Sequence, residues 1–300
     1  MRNAFISELM ATAEINDRIV LVVGDLGFGV VEPFAKRFPK RFFNAGVAEQ
    51  NMMGLAAGLA SEGFHVFAYS IANFPTFRCA EQIRNDVDYH QLAVTIVAVG
   101  GGLAYGNLGY SHHAVQDYAL MRVMPNMLIA APGDPMEVRA CLRYLISNPQ
   151  PGYLRIGKAG EPCIHTHVPE VSPGQWLTIR QGNKGADTYL TTGATLDLVN
   201  QMLTQNLNLE SYSLHSMPLW GMKTKKTQAS QVEKFANVIT VEDHLMDGGF
   251  GSWLLEATST HPDLLARIRI KSLDPKVCGM VAKQSTMNRL GGLTEEVLCA

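Results

Sequence analysis

Asn44-Ala45-Gly46-Val47-Ala48-Glu49-Gln50-Asn51-Met52-Met53-Gly54-Leu55-Ala56-Ala57-Gly58-Leu59-Ala60-Ser61-Glu62-Gly63 sets one carboxylate at the head of an almost uncharged run of Ala, Gly, Met and Leu. Such a run reads as a helix that is stable only when packed on nearly every side, which holds Glu49 next to a buried surface. A plainer role is open to the same residue, because Gly46 can cap the helix with Glu49 three positions on, where the helix dipole favours a carboxylate. Gly54 and Gly58 lie one turn apart, and each costs about 1 kcal/mol relative to Ala inside a helix. Close approach by another helix, as at a subunit interface, accounts for that cost.

Outward from this stretch, the 300 residues are 47% hydrophobic, enough for two domains that each bury a core without metal or disulfide support. A formal charge of -2, with acids and bases mixed along the chain, gives no electrostatic reason to bind nucleic acid or an anionic membrane. Cys79, Cys141, Cys163, Cys278 and Cys299 are odd in number and widely spaced, which predicts reduced thiols in a cytoplasmic protein and no metal centre. Met1-Arg2-Asn3-Ala4-Phe5 leads straight into an amphipathic helix with no signal-like start. No apolar run reaches the roughly 18 residues that a membrane span requires.

Ile19-Val20-Leu21-Val22-Val23, ended by Gly24-Asp25, reads as a buried parallel strand after a helix over 2–14. Residues 64–69, 92–99, 127–131 and 153–156 predict further strands, with helices over about 76–89 and 135–146 between them. The alternation implies a parallel α/β sheet with function at the carboxyl ends of its strands. Residues 161–174 break into Pro, Gly and isolated polar residues and read as a linker between a domain at 1–160 and a smaller α/β domain at 175–300.

Several separated motifs then agree in order and spacing with one family: the chain resembles the carboxyl-terminal half of transketolase. Gly46-Val47-Ala48-Glu49-Gln50-Asn51-Met52 resembles the signature of that family's pyrimidine-binding domain. Asn73-Phe74-Pro75-Thr76-Phe77-Arg78 and Glu81-Gln82-Ile83-Arg84-Asn85-Asp86-Val87 are similar to its aromatic segment. Gly106-Asn107-Leu108-Gly109-Tyr110-Ser111-His112-His113 falls where the family has a Gly-x-Asp-Gly-x-Thr/Ser-His loop. Val241-Glu242-Asp243-His244 with Gly248-Gly249-Phe250-Gly251 resembles the start of its C-terminal domain.

The resemblance implies a parallel-sheet pyrimidine-binding domain followed by a smaller C-terminal domain, and thiamine diphosphate as cofactor. It implies that Glu49 hydrogen-bonds the aminopyrimidine and promotes proton removal, that Phe74 and Phe77 stack on that ring, and that Asp25 lies near the thiazolium. A turn-forming Asp25 and ordinary core phenylalanines are the alternatives. His112, and with it His113, would meet substrate; a packing histidine and a spacer are the plainer readings. Arg2 and Lys158 would take a sugar phosphate, although lysine lacks the planar fork of arginine.

Two departures matter. The Gly-Asp-Gly segment and downstream Asn that hold diphosphate and Mg2+ in the family are missing: Gly24-Asp25-Leu26 and Gly133-Asp134-Pro135 do not continue correctly. A split enzyme follows, with those ligands on an N-terminal subunit and an α2β2 assembly. The second departure is polar: the loop aspartate is Leu108, a histidine is lost within Gly100-Gly101-Gly102, and a stacking tyrosine is Ala80. A buried Leu108 cannot hydrogen-bond a sugar hydroxyl, which points to altered donor or acceptor preference. The alternatives are a 2-oxo-acid enzyme, either deoxyxylulose-phosphate synthase-like or a dehydrogenase β subunit, and a non-catalytic scaffold. His165-Thr166-His167 reads as solvated linker.

Overall fold

In this computed structural model, residues 1–299 are described. Its strands are β1 (Ile19–Val23), β2 (Phe42–Asn44), β3 (His65–Ile71), β4 (Val94–Val99), β5 (Leu128–Ala130), β6 (Gly152–Ile156), β7 (Leu177–Arg180), β8 (Thr188–Thr191), β9 (Ser213–Ser216), β10 (Leu219–Trp220), β11 (Val238–Leu245) and β12 (Ile268–Leu273). Among the described residues they make two sheets, ordered β10-β5-β6-β4-β3-β1-β2 and β12-β11-β8-β9-β7. β10 and β7 run antiparallel to their neighbours, and the other pairings are parallel. β1, β4 and β6 are buried along their whole length, as strands covered by helices on both faces must be. The α/β class expected from the alternation is the one observed.

Two features were not expected. β10 follows the second sheet's β9 in the chain yet returns to the first sheet, pairing with β5. Trp220 on it packs against the rings of Tyr118, Phe250 and Trp253 at centroid distances of 5.2, 5.1 and 5.3 Å, so one apolar core runs unbroken from Met52 and Ile96 to Leu190 and Phe250. The other difference is the helix expected over 76–89. It is instead Phe74–Phe77, Ala80–Gln82 and a π-helical turn Ile83–Asp88. That wider turn ends where the Asp88 carboxylate and carbonyl accept from Asn126, both at 3.0 Å.

The sheets are joined by charge as well as by apolar packing. Arg155 on β6 is buried; its Nε donates to Asp117 Oδ2 at 2.7 Å, and its Nη1 donates to Asp243 Oδ1 on β11 at 2.6 Å. Tyr153 donates to the same Asp117 oxygen at 2.6 Å, and Ala114 carbonyl takes a further Arg155 N–H at 2.9 Å. Gly101 and Gly102 thread between these groups, since a Cβ at Gly101 would overlap the guanidinium and one at Gly102 the Asp243 carboxylate. Next to Asp243, the buried Glu242 accepts from Phe250 and Gly251 N–H groups at 2.5 and 2.9 Å and so caps the helix Phe250–Ala257. The Glu-Asp pair thus has two structural tasks, a helix cap for Glu242 and the tie between the sheets for Asp243.

No helix among the described residues is long and apolar enough to cross a membrane. Arg155→Met should cost about 3–5 kcal/mol in urea unfolding, because it leaves Asp117 and Asp243 buried with their cation gone. Adding Asp117→Asn and Asp243→Asn should recover much of that loss; no recovery would deny that unpaired charge is the cause. A second expectation concerns His65, buried with its Nε2 2.9 Å from Thr95 Oγ1, where burial pushes its pKa down to about 4. Between pH 6.5 and about 4 the unfolded chain takes up a proton that the folded chain refuses, so stability falls as pH falls. Relative to His65→Gln, the wild-type slope should be steeper by about 1.4 kcal/mol per pH unit in that window, read from unfolding curves at successive pH values.

Candidate active site

The carboxyl ends of the first sheet bring distant residues together. β1 leads to Asp25, β2 leads to Glu49, β3 leads to Phe74 and Arg78, β4 leads to the loop with Tyr105 and His112, and β6 leads to Lys158. Local geometry fixes the approach. Asp25 has φ of 55°, and Asn44 holds it there: the Asn44 side chain donates to Asp25 Oδ1 at 2.9 Å, while Asn44 Oδ1 accepts from Asp25 and Gly46 N–H groups at 3.1 and 2.9 Å. The chain then turns through Gly46, at φ of 72°, into the helix Glu49–Ser61.

Glu49 is the first residue of that helix and only 4% exposed. The capping-box reading is not realised: the N-cap is Ala48, without a side-chain cap bond. Nor is the helix packed on nearly every side. Met52, Met53, Ala56, Ala57 and Ala60 are buried, whereas Gln50, Asn51, Gly54, Leu55 and Gly58 face outward. A Cβ added at Gly54 or Gly58 meets nothing within 4 Å. The residues that hold this helix to the fold occupy only one side of it.

Both Glu49 oxygens lie 3.0 Å from Arg78 Nη1. The Arg78 guanidinium also lies over the Phe74 ring, 4.3 Å from its centroid. Phe74 also meets His112 edge-on, with centroids 5.0 Å apart. Glu49, Arg78, Phe74 and His112 therefore form one contiguous row. Phe77 turns away from it and is 47% exposed. His112 Nδ1 pairs with Ser111 Oγ at 3.0 Å, and burial, then neighbouring His113 and Arg78, push its pKa below the ordinary histidine value. The imidazole is neutral at pH 7 and can accept a proton.

His113 points inward, buried, with Nε2 3.3 Å from Gly106 carbonyl, where it braces the loop. Leu108 is half exposed, contrary to the buried position expected from the sequence. Together with Phe28, Phe43, Val47, Phe77 and Tyr110 it makes an apolar rim around the strand ends. Lys158 is exposed, its Nζ 4.8 Å from the Tyr105 ring centroid. Arg2 has a buried Nε without a partner among the described residues; it faces Tyr69, whose phenol burial pushes up to about 12 against the opposing pull of Arg2. A cleft of about 340 Å³ lies behind Lys158, lined by Gly133, Asp197 and Asn288 among others, and it reaches neither Glu49 nor Phe74. The linker histidine His165 is not solvated: its Nδ1 lies 3.0 Å from Asp134 Oδ2.

Arg78 and Tyr105 are the site residues that sequence reasoning passed over. Arg78 stands four positions after Phe74, a spacing that puts both on one side of a helical turn. That signal was available. Tyr105 has no comparable sequence signal, because only the fold brings it to His112 and Lys158.

Comparison with known proteins places this geometry. The family model described as "Transketolase, pyrimidine binding domain" matches residues 1–160. The chain is 33% identical over 267 residues to one of the subunits of the apulose-4-phosphate transketolase of Phocaeicola vulgatus, covering 87% of this chain and 84% of that protein. It is 36% identical over 265 residues to the putative transketolase C-terminal section of Methanocaldococcus jannaschii, covering 87% and 82%. A solved structure described as "Split gene transketolase, inactive beta4 tetramer" superposes with a TM-score of 0.84 at 29% identity, covering 99% of this chain and 94% of that one.

The Glu49–Arg78 pair has one buried and one half-exposed member, so it should contribute little to folding. Arg78→Leu should lower unfolding stability by about 1 kcal/mol in urea. A loss approaching that of Arg155→Met would show instead that the pair is a structural tie.

Proposed function

This chain belongs to the transketolase family, and we propose that within it the protein is the C-terminal subunit of a two-subunit enzyme that moves a two-carbon ketol unit from a ketose phosphate to an aldose. The single observation that carries this is the row Glu49, Arg78, Phe74 and His112 above the strand ends, with an apolar rim around it.

The residues present fit the pyrimidine end of thiamine diphosphate. A nearly buried carboxylate faces a flat aromatic ring through one guanidinium, and this is the donor and acceptor set that an aminopyrimidine needs. They do not supply its diphosphate end, for which the Gly-Asp-Gly and Asn pattern is missing. We therefore assign the diphosphate and Mg2+ ligands to a separate N-terminal subunit. When bound, the cofactor supplies the carbon nucleophile that breaks and remakes the carbon–carbon bond.

Each residue then has a task. Glu49 shares a proton with the pyrimidine, which requires Arg78 to share the carboxylate or swing aside; Arg78 is half exposed and free to do so. Phe74 stacks on the ring, while Phe77 extends the apolar wall towards the partner subunit. Asp25, locked by Asn44, lies at the near edge. His112, neutral, accepts a proton from a substrate hydroxyl. Arg2 and Lys158 hold the phosphate, which favours a phosphorylated sugar over a 2-oxo acid. His113, buried against the Gly106 carbonyl, serves by bracing the loop and not by meeting substrate. Leu108 brings an apolar surface to the sugar and supports an altered donor or acceptor preference.

The rim of Phe28, Val47, Phe77 and Leu108 and the open side of the Glu49–Ser61 helix supply surfaces for the N-terminal subunit and for a second copy, in an α2β2 assembly. The five unpaired thiols support a reducing, cytoplasmic setting.

Mixed with its N-terminal partner, thiamine diphosphate and Mg2+, the wild-type chain should transfer the ketol unit without releasing carbon dioxide. Glu49→Gln should cut turnover about a hundredfold or more while leaving assembly intact by size-exclusion chromatography. Turnover that survives the substitution would remove Glu49 from the chemistry, and assembly without any carbon–carbon cleavage by the wild type would make the chain a scaffold.

A further inference from the structure

The loop from Gly100 to His112 sets Tyr105 between His112 and Lys158. Gly100 has φ of 79°, and a Cβ there would overlap the Tyr105 ring. The ring thus fills the space above Gly100 that any side chain would take. It is tilted against His112, with centroids 6.2 Å apart, and Lys158 Nζ lies 4.8 Å from its centre on the way to the cationic end. Packing explains the ring but not the hydroxyl. A phenylalanine would fill the same space, yet Tyr105 is half-buried and its hydroxyl has no hydrogen-bond partner among the described residues. The hydroxyl is not among the buried polar atoms left without a partner, so it stays open to water and to an incoming ligand oxygen that can take the water's place. Burial raises its pKa, opposed by the nearby Arg2 charge, so the hydroxyl keeps its proton at neutral pH and can donate.

We propose that Tyr105 is a specificity-determining residue that donates its phenol hydrogen to a sugar oxygen between the end held by His112 and the phosphate held by Arg2 and Lys158. The inference rests on the transferase reading for the placement of substrate, and it adds the residue that measures the sugar between those two ends. The ligand class is a phosphorylated monosaccharide. Inorganic phosphate reaches the cations without touching the phenol, and an unphosphorylated sugar lacks the anchor that brings its hydroxyls there.

Tyr105→Phe keeps the ring over Gly100, its contact with His112 and its position under Lys158, and removes only the hydroxyl. The full chain, reconstituted with its N-terminal partner and cofactor, is titrated by calorimetry with ribose 5-phosphate, ribose and inorganic phosphate. The same assemblies are assayed for ketol transfer. The wild type should prefer ribose 5-phosphate to either fragment. Tyr105→Phe should weaken ribose 5-phosphate about tenfold, the scale of one lost hydrogen bond, leave inorganic phosphate unchanged, and raise KM more than it lowers kcat. Equal ribose 5-phosphate affinity in the two proteins overturns the proposal, as does a wild type that binds ribose 5-phosphate no better than ribose. Selective binding lost in Tyr105→Phe, with no carbon transfer by the wild type, upholds the role of Tyr105 and rejects the transferase reading. Transfer that is indifferent to the substitution does the reverse.

Discussion

A guanidinium with almost no access to water holds the two sheets in register. Arg155 belongs to β6, Asp117 to the helix beside it and Asp243 to β11, so the three charges span both sheets at distances of 2.6 and 2.7 Å. Desolvating three ions is expensive, and replacing such a set by apolar residues often leaves stability unchanged or better. Its value here is positional. The loop that carries Tyr105 and His112 begins at Gly100, and the next two glycines pass within contact of Arg155 and Asp243. The charges that join the sheets therefore also fix where the active-site loop starts.

Against that anchored loop, the Glu49 end of the row is held more lightly. Glu49 leans on a half-exposed Arg78, and Arg78 on the Phe74 ring. An ion pair with one exposed member is worth little in water, so the carboxylate can exchange its partner for a ligand at small cost. The row is anchored at the histidine's loop and adjustable at the carboxylate.

Most of the architecture was legible because it rests on local patterns. Ile19–Val23 is a continuous aliphatic run and Val94–Val99 is one broken only by Thr95, and buried parallel strands need little else. What escaped depends on long-range contact. Leu219–Trp220 is too short to announce itself as a strand, and its place in the first sheet goes with the packing of Trp220 against Tyr118, Phe250 and Trp253. The interruption after Phe77 hinges on Asp88 meeting Asn126 across 38 residues. Within the site, Glu49, Phe74 and His112 stood out by motif, whereas Tyr105 is visible only once Gly100 is seen to lack room for anything else. Leu108 departs from expectation for a similar reason, since an apolar residue in a glycine-rich loop is as readily a surface for a neighbour as a piece of core.

The helix that opens with Glu49 has a covered side and a bare one, and both begin within a residue of the carboxylate. Whatever settles on Gly54 and Gly58 presses on the same rod that opens with Glu49. A displacement of this helix along its axis would carry the Glu49 carboxylate with it, so the open face and the buried acid are mechanically one part.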